Sequence, residues 1–136
     1  MGYNGAMNDS HAACPFCDLT DRQTVWATSL AVAFRDGYPV SPGHTLVVPR
    51  RHVATYFDAD SLEQAALWEG VASVKAQLDA QPSPPDGYNV GFNAGHVAGQ
   101  TVMHAHIHVI PRYQGDMPDP RGGVRGVIPH KQRYTP

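Results

Sequence analysis

Gly99-Gln100-Thr101-Val102-Met103-His104-Ala105-His106-Ile107-His108-Val109-Ile110-Pro111-Arg112-Tyr113 is the stretch from which the rest of the chain is read. Histidines 104, 106 and 108 alternate with Ala105, Ile107 and Val109. In an extended strand this sends three imidazoles to one face and the apolar side chains to the core, with successive rings about 6.5 to 7 Å apart. A helix would scatter residues two apart around its circumference. The alternation therefore predicts a strand over Val102–Ile110, ended by Pro111, with a three-ring rack on its open face. The preceding loop, Asn93-Ala94-Gly95-His96-Val97-Ala98-Gly99-Gln100-Thr101, offers glycine backbone, an amide and a hydroxyl, the groups that cradle an anion.

Working outward, Thr24–Thr28, Leu30–Phe34, Thr45–Val48 and Tyr88–Phe92 are short runs rich in β-branched or aromatic residues and read as further strands. Asp60–Ala80 reads as the long helix: Leu67, Val71, Val74 and Leu78 form one apolar stripe at a 3.6-residue period. Either Asp60 with Glu63 or Ser61 with Gln64 supplies a capping box, and the prolines at 82, 84 and 85 stop the helix. Strands, one helix, then more strands imply an α+β fold with an antiparallel sheet. Residues 1–13 read as a leader, 14–113 as one domain and 114–136 as an extended, irregular tail.

At 136 residues and 42% hydrophobic content, the chain supports one compact domain. Its 10 Lys plus Arg against 12 Asp plus Glu give a net charge of −2, so it carries no broad attraction for long nucleic acid or an anionic membrane. No apolar run reaches the roughly 18 to 20 residues needed to span a bilayer, and the start lacks a signal-peptide pattern, which makes the cytoplasm the expected address. Cys14-Pro15-Phe16-Cys17 then suits metal or redox chemistry better than a structural disulfide, and a tetrahedral metal site would need histidine to complete it.

The segment Gly99–Ile110 closely resembles the histidine triad (HIT) signature, His-φ-His-φ-His-φ-φ after Gly-Gln-Ser/Thr. Ala33-Phe34-Arg35-Asp36, Leu46-Val47-Val48-Pro49-Arg50-Arg51-His52 and Gly91-Phe92-Asn93 resemble further HIT motifs in the same order. The resemblance implies a five-stranded antiparallel sheet with one long and one short helix, dimerising, and an enzyme acting at the α-phosphate of a purine nucleotide or nucleotide conjugate. It implies that His106 is the nucleophile, forming a covalent nucleotidyl-histidine, that His108 contacts the phosphate and assists the leaving group, and that Thr101 stands near the leaving atom. Gly99, Gln100 and Asn93 fall on the phosphate side, Asp36 on the ribose hydroxyls, and Phe16 and Phe34 as walls for the base. Zinc-containing, bacterial-type HIT hydrolases further imply a structural zinc on Cys14, Cys17, His52 and His104.

Nucleoside phosphoramidates and dinucleoside polyphosphates are the implied substrate classes. His108 favours hydrolysis, since relatives that transfer nucleotidyl groups to sugar phosphates often carry Gln there. Two other functions compete: a nucleotide-binding sensor with incidental turnover, and a metal-dependent hydrolase with His104, His106 and His108 on one ion. His44, after Pro42-Gly43, reads as a solvent or loop histidine, and His96 as an exposed loop tip.

Overall fold

The computed structural model describes residues 14–135; the leader, 1–13, lies outside them. Five strands, β1 (Thr24–Ala27), β2 (Ala31–Arg35), β3 (Thr45–Pro49), β4 (Gly87–Gly91) and β5 (Ile107–Arg112), form one sheet in the order β1-β2-β3-β5-β4. Every pairing is antiparallel. Helix α1 (Ser61–Asp79) connects β3 to β4 and packs across one face. No second α-helix occurs among the described residues; the short helical pieces are 3-10 turns at Tyr56–Asp58, His96–Ala98, Gly123–Val127 and Pro129–Lys131, the last two within the tail expected to be extended.

Alternation in the strands builds two apolar layers. Ala31, Ala33, Val47, Ile107 and Val109 meet Ala66, Leu67, Val74 and Leu78 of α1, with Val71 partly buried at the edge. Val32, Phe34, Leu46 and Val48 face the other way and are covered by Cys14 and Phe16. Of the two possible capping boxes, Asp60 with Glu63 is the one formed, and the buried Glu63 carboxylate also receives a two-pronged bond from Arg51 at 3.0 and 2.7 Å. Gly70 lets α1 lie tightly on the sheet: a Cβ there would lie 2.7 Å from both Trp26 and Val47.

The histidine strand differs from its expected form. β5 begins at Ile107, five residues later than the alternation predicts, and continues through Pro111 to Arg112. Upstream, ladder pairing gives way to side-chain and loop partners: the Pro49 carbonyl accepts from the His104 ring at 2.8 Å, and the Ala105 amide donates to Val53. Pro111 does not end the strand because β3 pairs with β5 only as far as Thr45↔Val109. A missing N–H beyond that point interrupts no ladder bond to β3. The Pro111 carbonyl instead accepts from the Ser41 hydroxyl at 2.6 Å.

Candidate functional site

The site lies on the sheet face opposite α1, where β5, the two loops that flank it in space and the Cys14–Cys17 turn converge. Each triad histidine is held differently. His104 is fully buried, its Nε2–H donating to the Pro49 carbonyl, so its Nδ1 carries a lone pair. That Nδ1 points at the Cys14 and Cys17 sulfurs, at 3.3 and 3.6 Å. His52 Nδ1 lies 3.2 Å from Cys17 Sγ, and the four donor atoms fall within 4.8 Å of one another. A tetrahedral zinc with ordinary Zn–S and Zn–N bonds separates its S and N ligands by about 3.5 Å, so the cluster has the right donors at the right spacing. Burial, with Cys14 adding, pushes the Cys17 thiol up to about 11 when no cation is near; a metal reverses that preference.

His106 comes next. Its Nδ1–H donates to its neighbour's carbonyl, His104 O, at 2.7 Å, which leaves the lone pair on Nε2. Phe16 meets the ring edge-on at 5.1 Å between centroids.

His108, the one triad member inside β5, is fixed by a chain of proton positions. The Val40 backbone N–H donates to His44 Nδ1 at 3.1 Å, so the proton of neutral His44 sits on Nε2. That nitrogen lies 2.9 Å from His108 Nδ1 and 3.3 Å from Asp36 Oδ2. His108 Nδ1 is therefore the acceptor and its Nε2 carries the hydrogen. The two neighbouring rings, 5.2 Å apart, present opposite faculties: His106 an electron pair, His108 a donor hydrogen. Burial holds all three imidazoles, His44, His106 and His108, below the ordinary 6.5; for His108 the charges of His106 and His44 add to it and bring it to about 4.

His44 does lie in the β2–β3 loop, as expected, but it does not meet solvent: it is 3% exposed and buttresses His108. Its position after Pro-Gly suggested surface, and only the packing of the β2–β3 loop against β5 buries it. Asp36, expected at the ribose, has Oδ2 toward His44 and Oδ1 accepting from the Tyr38 amide at 2.8 Å. The side chain of Gln100 braces the loop, its oxygen accepting from Gly95 and its nitrogen donating to Ala54 and Val102. Gly99 closes the turn over His96–Ala98 at φ +96°, with Asn93 beside it. Thr101 is exposed. Phe34 is completely buried beneath Phe16, and the Arg22 guanidinium, which sequence reading missed, lies 5.6 and 5.2 Å from the two rings.

A metal hydrolase with the three triad histidines as common ligands does not fit this geometry. Among the described residues the donor clusters are Cys14-Cys17-His52-His104 and Asp36-His44-His108, and His106 is in neither.

The HIT domain profile matches residues 19–115, most of the chain. The chain belongs to the HIT domain family. An uncharacterised HIT-like protein of Mycoplasma genitalium is 33% identical to it, covering 76% of this chain and 75% of that protein. The asymmetrical bis(5'-nucleosyl)-tetraphosphatase of Schizosaccharomyces pombe is 37% identical over 69% of this HIT chain, which spans 51% of that enzyme. Among solved structures, a zinc-bound histidine triad family protein from Mycobacterium smegmatis superposes with a TM-score of 0.72 at 28% identity, covering 81% of this chain and 86% of that one. No helix among the described residues is long and apolar enough to cross a membrane.

Proposed function

We propose that this HIT protein cleaves a bond to the α-phosphate of a purine nucleotide conjugate, with His106 as nucleophile and His108 as the donor to the leaving atom. The observation that carries the reading is the opposed protonation of the two rings: an Nε2 lone pair beside an Nε2–H. In-line attack forms a bond from His106 Nε2 to phosphorus and breaks the bond to the leaving atom, which takes the proton held at His108. The bound phosphoryl charge raises the proton affinity of His108, so a ring that is neutral in the empty site becomes the acid on demand. Water then adds to phosphorus, its proton returns to His108, and the P–N bond opens. The amides of Gly95, Ala98, Gly99 and Gln100 are bonded within their own loop, so it is the Thr101 end that offers a backbone amide to the phosphoryl oxygens, with Asn93 nearby. Asp36 retains lone pairs for the ribose hydroxyls, and Thr101 stands at the leaving side.

Cys14, Cys17, His52 and His104 would hold a zinc ion whose role is structural: with four protein ligands it keeps no open position and fastens the Cys14–Cys17 turn to the nucleophile's segment. A reducing, cytoplasmic setting suits two thiols held for a metal. Homodimerisation is supported by edge strand β4 together with the exposed aromatic surface of Phe57 and Trp68, 70% and 42% exposed, beside Tyr56 stacked on Phe92.

The test is mass spectrometry of the protein quenched during turnover of a nucleoside phosphoramidate. A nucleotidyl adduct on the peptide containing His106, lost together with turnover in His106→Asn, is the expected result. Undiminished turnover in His106→Asn rejects the mechanism.

A further inference from the structure

Arg22 differs from the rest of the chain's arginines. Every other arginine among the described residues gives its guanidinium to a carboxylate, a hydroxyl or a backbone carbonyl. The Arg22 guanidinium has no such acceptor among the described residues and lies over two aromatic rings instead, its Cζ 5.6 Å from the centre of Phe16 and 5.2 Å from that of Phe34. A cation in this position is held by the ring quadrupoles while its N–H edge stays open to a ligand. The backbone beneath it is fixed: the Arg22 N–H donates to the Leu19 carbonyl at 3.0 Å, and the Arg22 carbonyl accepts from Thr24 at 3.1 Å.

Two contacts tie this guanidinium to the site. Phe16, which lies under it, is also the ring that meets His106 at 5.1 Å. Its Nη1 lies 3.3 Å from where a Cβ on Gly37 would stand, and Gly37 directly follows Asp36. A nucleotide whose phosphate meets His106 and whose ribose meets Asp36 therefore carries its base toward Arg22. A guanidinium offers N–H donors and no acceptor. Guanine presents two acceptors side by side, O6 and N7, which match that planar fork; adenine presents N7 beside an amino donor. Against adenine, one N–H of the fork faces another N–H and loses its hydration without a partner.

We propose that Arg22 is a specificity-determining residue that reads the O6 and N7 edge of the base, so that this chain selects a 6-oxopurine nucleotide over an adenine nucleotide. The proposal rests on the α-phosphate reading, which places the phosphate at His106 and the ribose at Asp36. Phe16 and Phe34 hold the guanidinium in place before the base arrives, so little side-chain freedom is lost when the two bonds form.

The experiment measures kcat/KM of the full chain for the 5'-phosphoramidates of guanosine, inosine, 7-deazaguanosine and adenosine. The guanosine and inosine compounds, which share O6 and N7, should exceed the adenosine compound by at least about tenfold, the scale of one bidentate base contact. The 7-deazaguanosine compound lacks the N7 acceptor and should fall well below guanosine. Arg22→Met keeps an apolar cover on the two rings without an N–H, and should bring the guanosine-to-adenosine ratio to within about twofold of unity. Equal rates for guanosine and adenosine in the parent protein overturn the proposal, as does an inosine compound that behaves like adenosine. A guanosine preference that survives Arg22→Met overturns it too, including the case where all four compounds lose rate in proportion because Arg22 serves the phosphate. Should that variant fail to fold, the 7-deazaguanosine compound decides, and a rate equal to that of guanosine overturns the proposal. Absence of both turnover and a His106 adduct would sink the α-phosphate reading instead. Base selection is then judged by calorimetry of guanosine and adenosine monophosphates on the parent protein, where equal affinity overturns it.

Discussion

His44 contributes a single hydrogen, on Nε2, and that hydrogen determines which nitrogen of His108 carries a proton. His44→Asn removes it while leaving a polar group in the space. The expected result is a fall in kcat of about ten- to a hundredfold with KM changed much less, the usual effect of removing a residue that orients another. Equal loss in both parameters would mean that His44 touches substrate. Titration of the imidazole resonances gives a second check: all three midpoints should lie below 6.5, and that of His108 near 4. The sign for stability follows. Between pH 6.5 and about 4 the unfolded chain binds more protons at these sites than the folded one, so stability is lost as pH falls through that window. A stability curve that rises on acidification across it would contradict the assignment.

At the scale of elements, the contact between α1 and the sheet depends on Gly70, whose missing side chain makes room for Trp26 and Val47. Gly70→Ala gains helix propensity but places a methyl group at 2.7 Å from both, and overpacking of this kind costs about 1 to 3 kcal/mol. Thermal unfolding should shift downward while kcat per folded molecule stays put. The helix and four strands were readable from the chain to within a residue or so, because periodicity and capping are local. β5 was not. His-x-His-x-His alternates in the same way whether its backbone joins a ladder or bends around side-chain partners, and the choice was made by Pro49, Val53 and Cys14, residues about 50 to 90 positions away. Distance in sequence explains the other misses as well: the burial of His44, the loss of Phe34 to the core and the cover of Arg22 all depend on which loops meet.

For the whole molecule, two measurements bear on assembly. Purified protein should hold one zinc per chain, and Cys14→Ser with Cys17→Ser should lose it along with much of the thermal stability. Metal retained in that variant would place the ion elsewhere. In sedimentation, Trp68→Glu with Phe57→Glu should convert a dimer to a monomer, and an unchanged mass would remove the β4 side from consideration as the contact.

His104 occupies both ends of one short connection: its ring faces the two sulfurs, and its carbonyl oxygen accepts a hydrogen bond from His106 Nδ1–H. Under the proposed zinc site and nucleophile, ion loading and reactivity would be mechanically coupled through one residue. A newly synthesised chain lacking its ion would hold the attacking nitrogen in an unsettled azimuth, so a cell starved of zinc should accumulate protein that is folded in outline yet slow to react. Chelation at a temperature well below unfolding should accordingly depress turnover first, and unfolding should follow only on further warming.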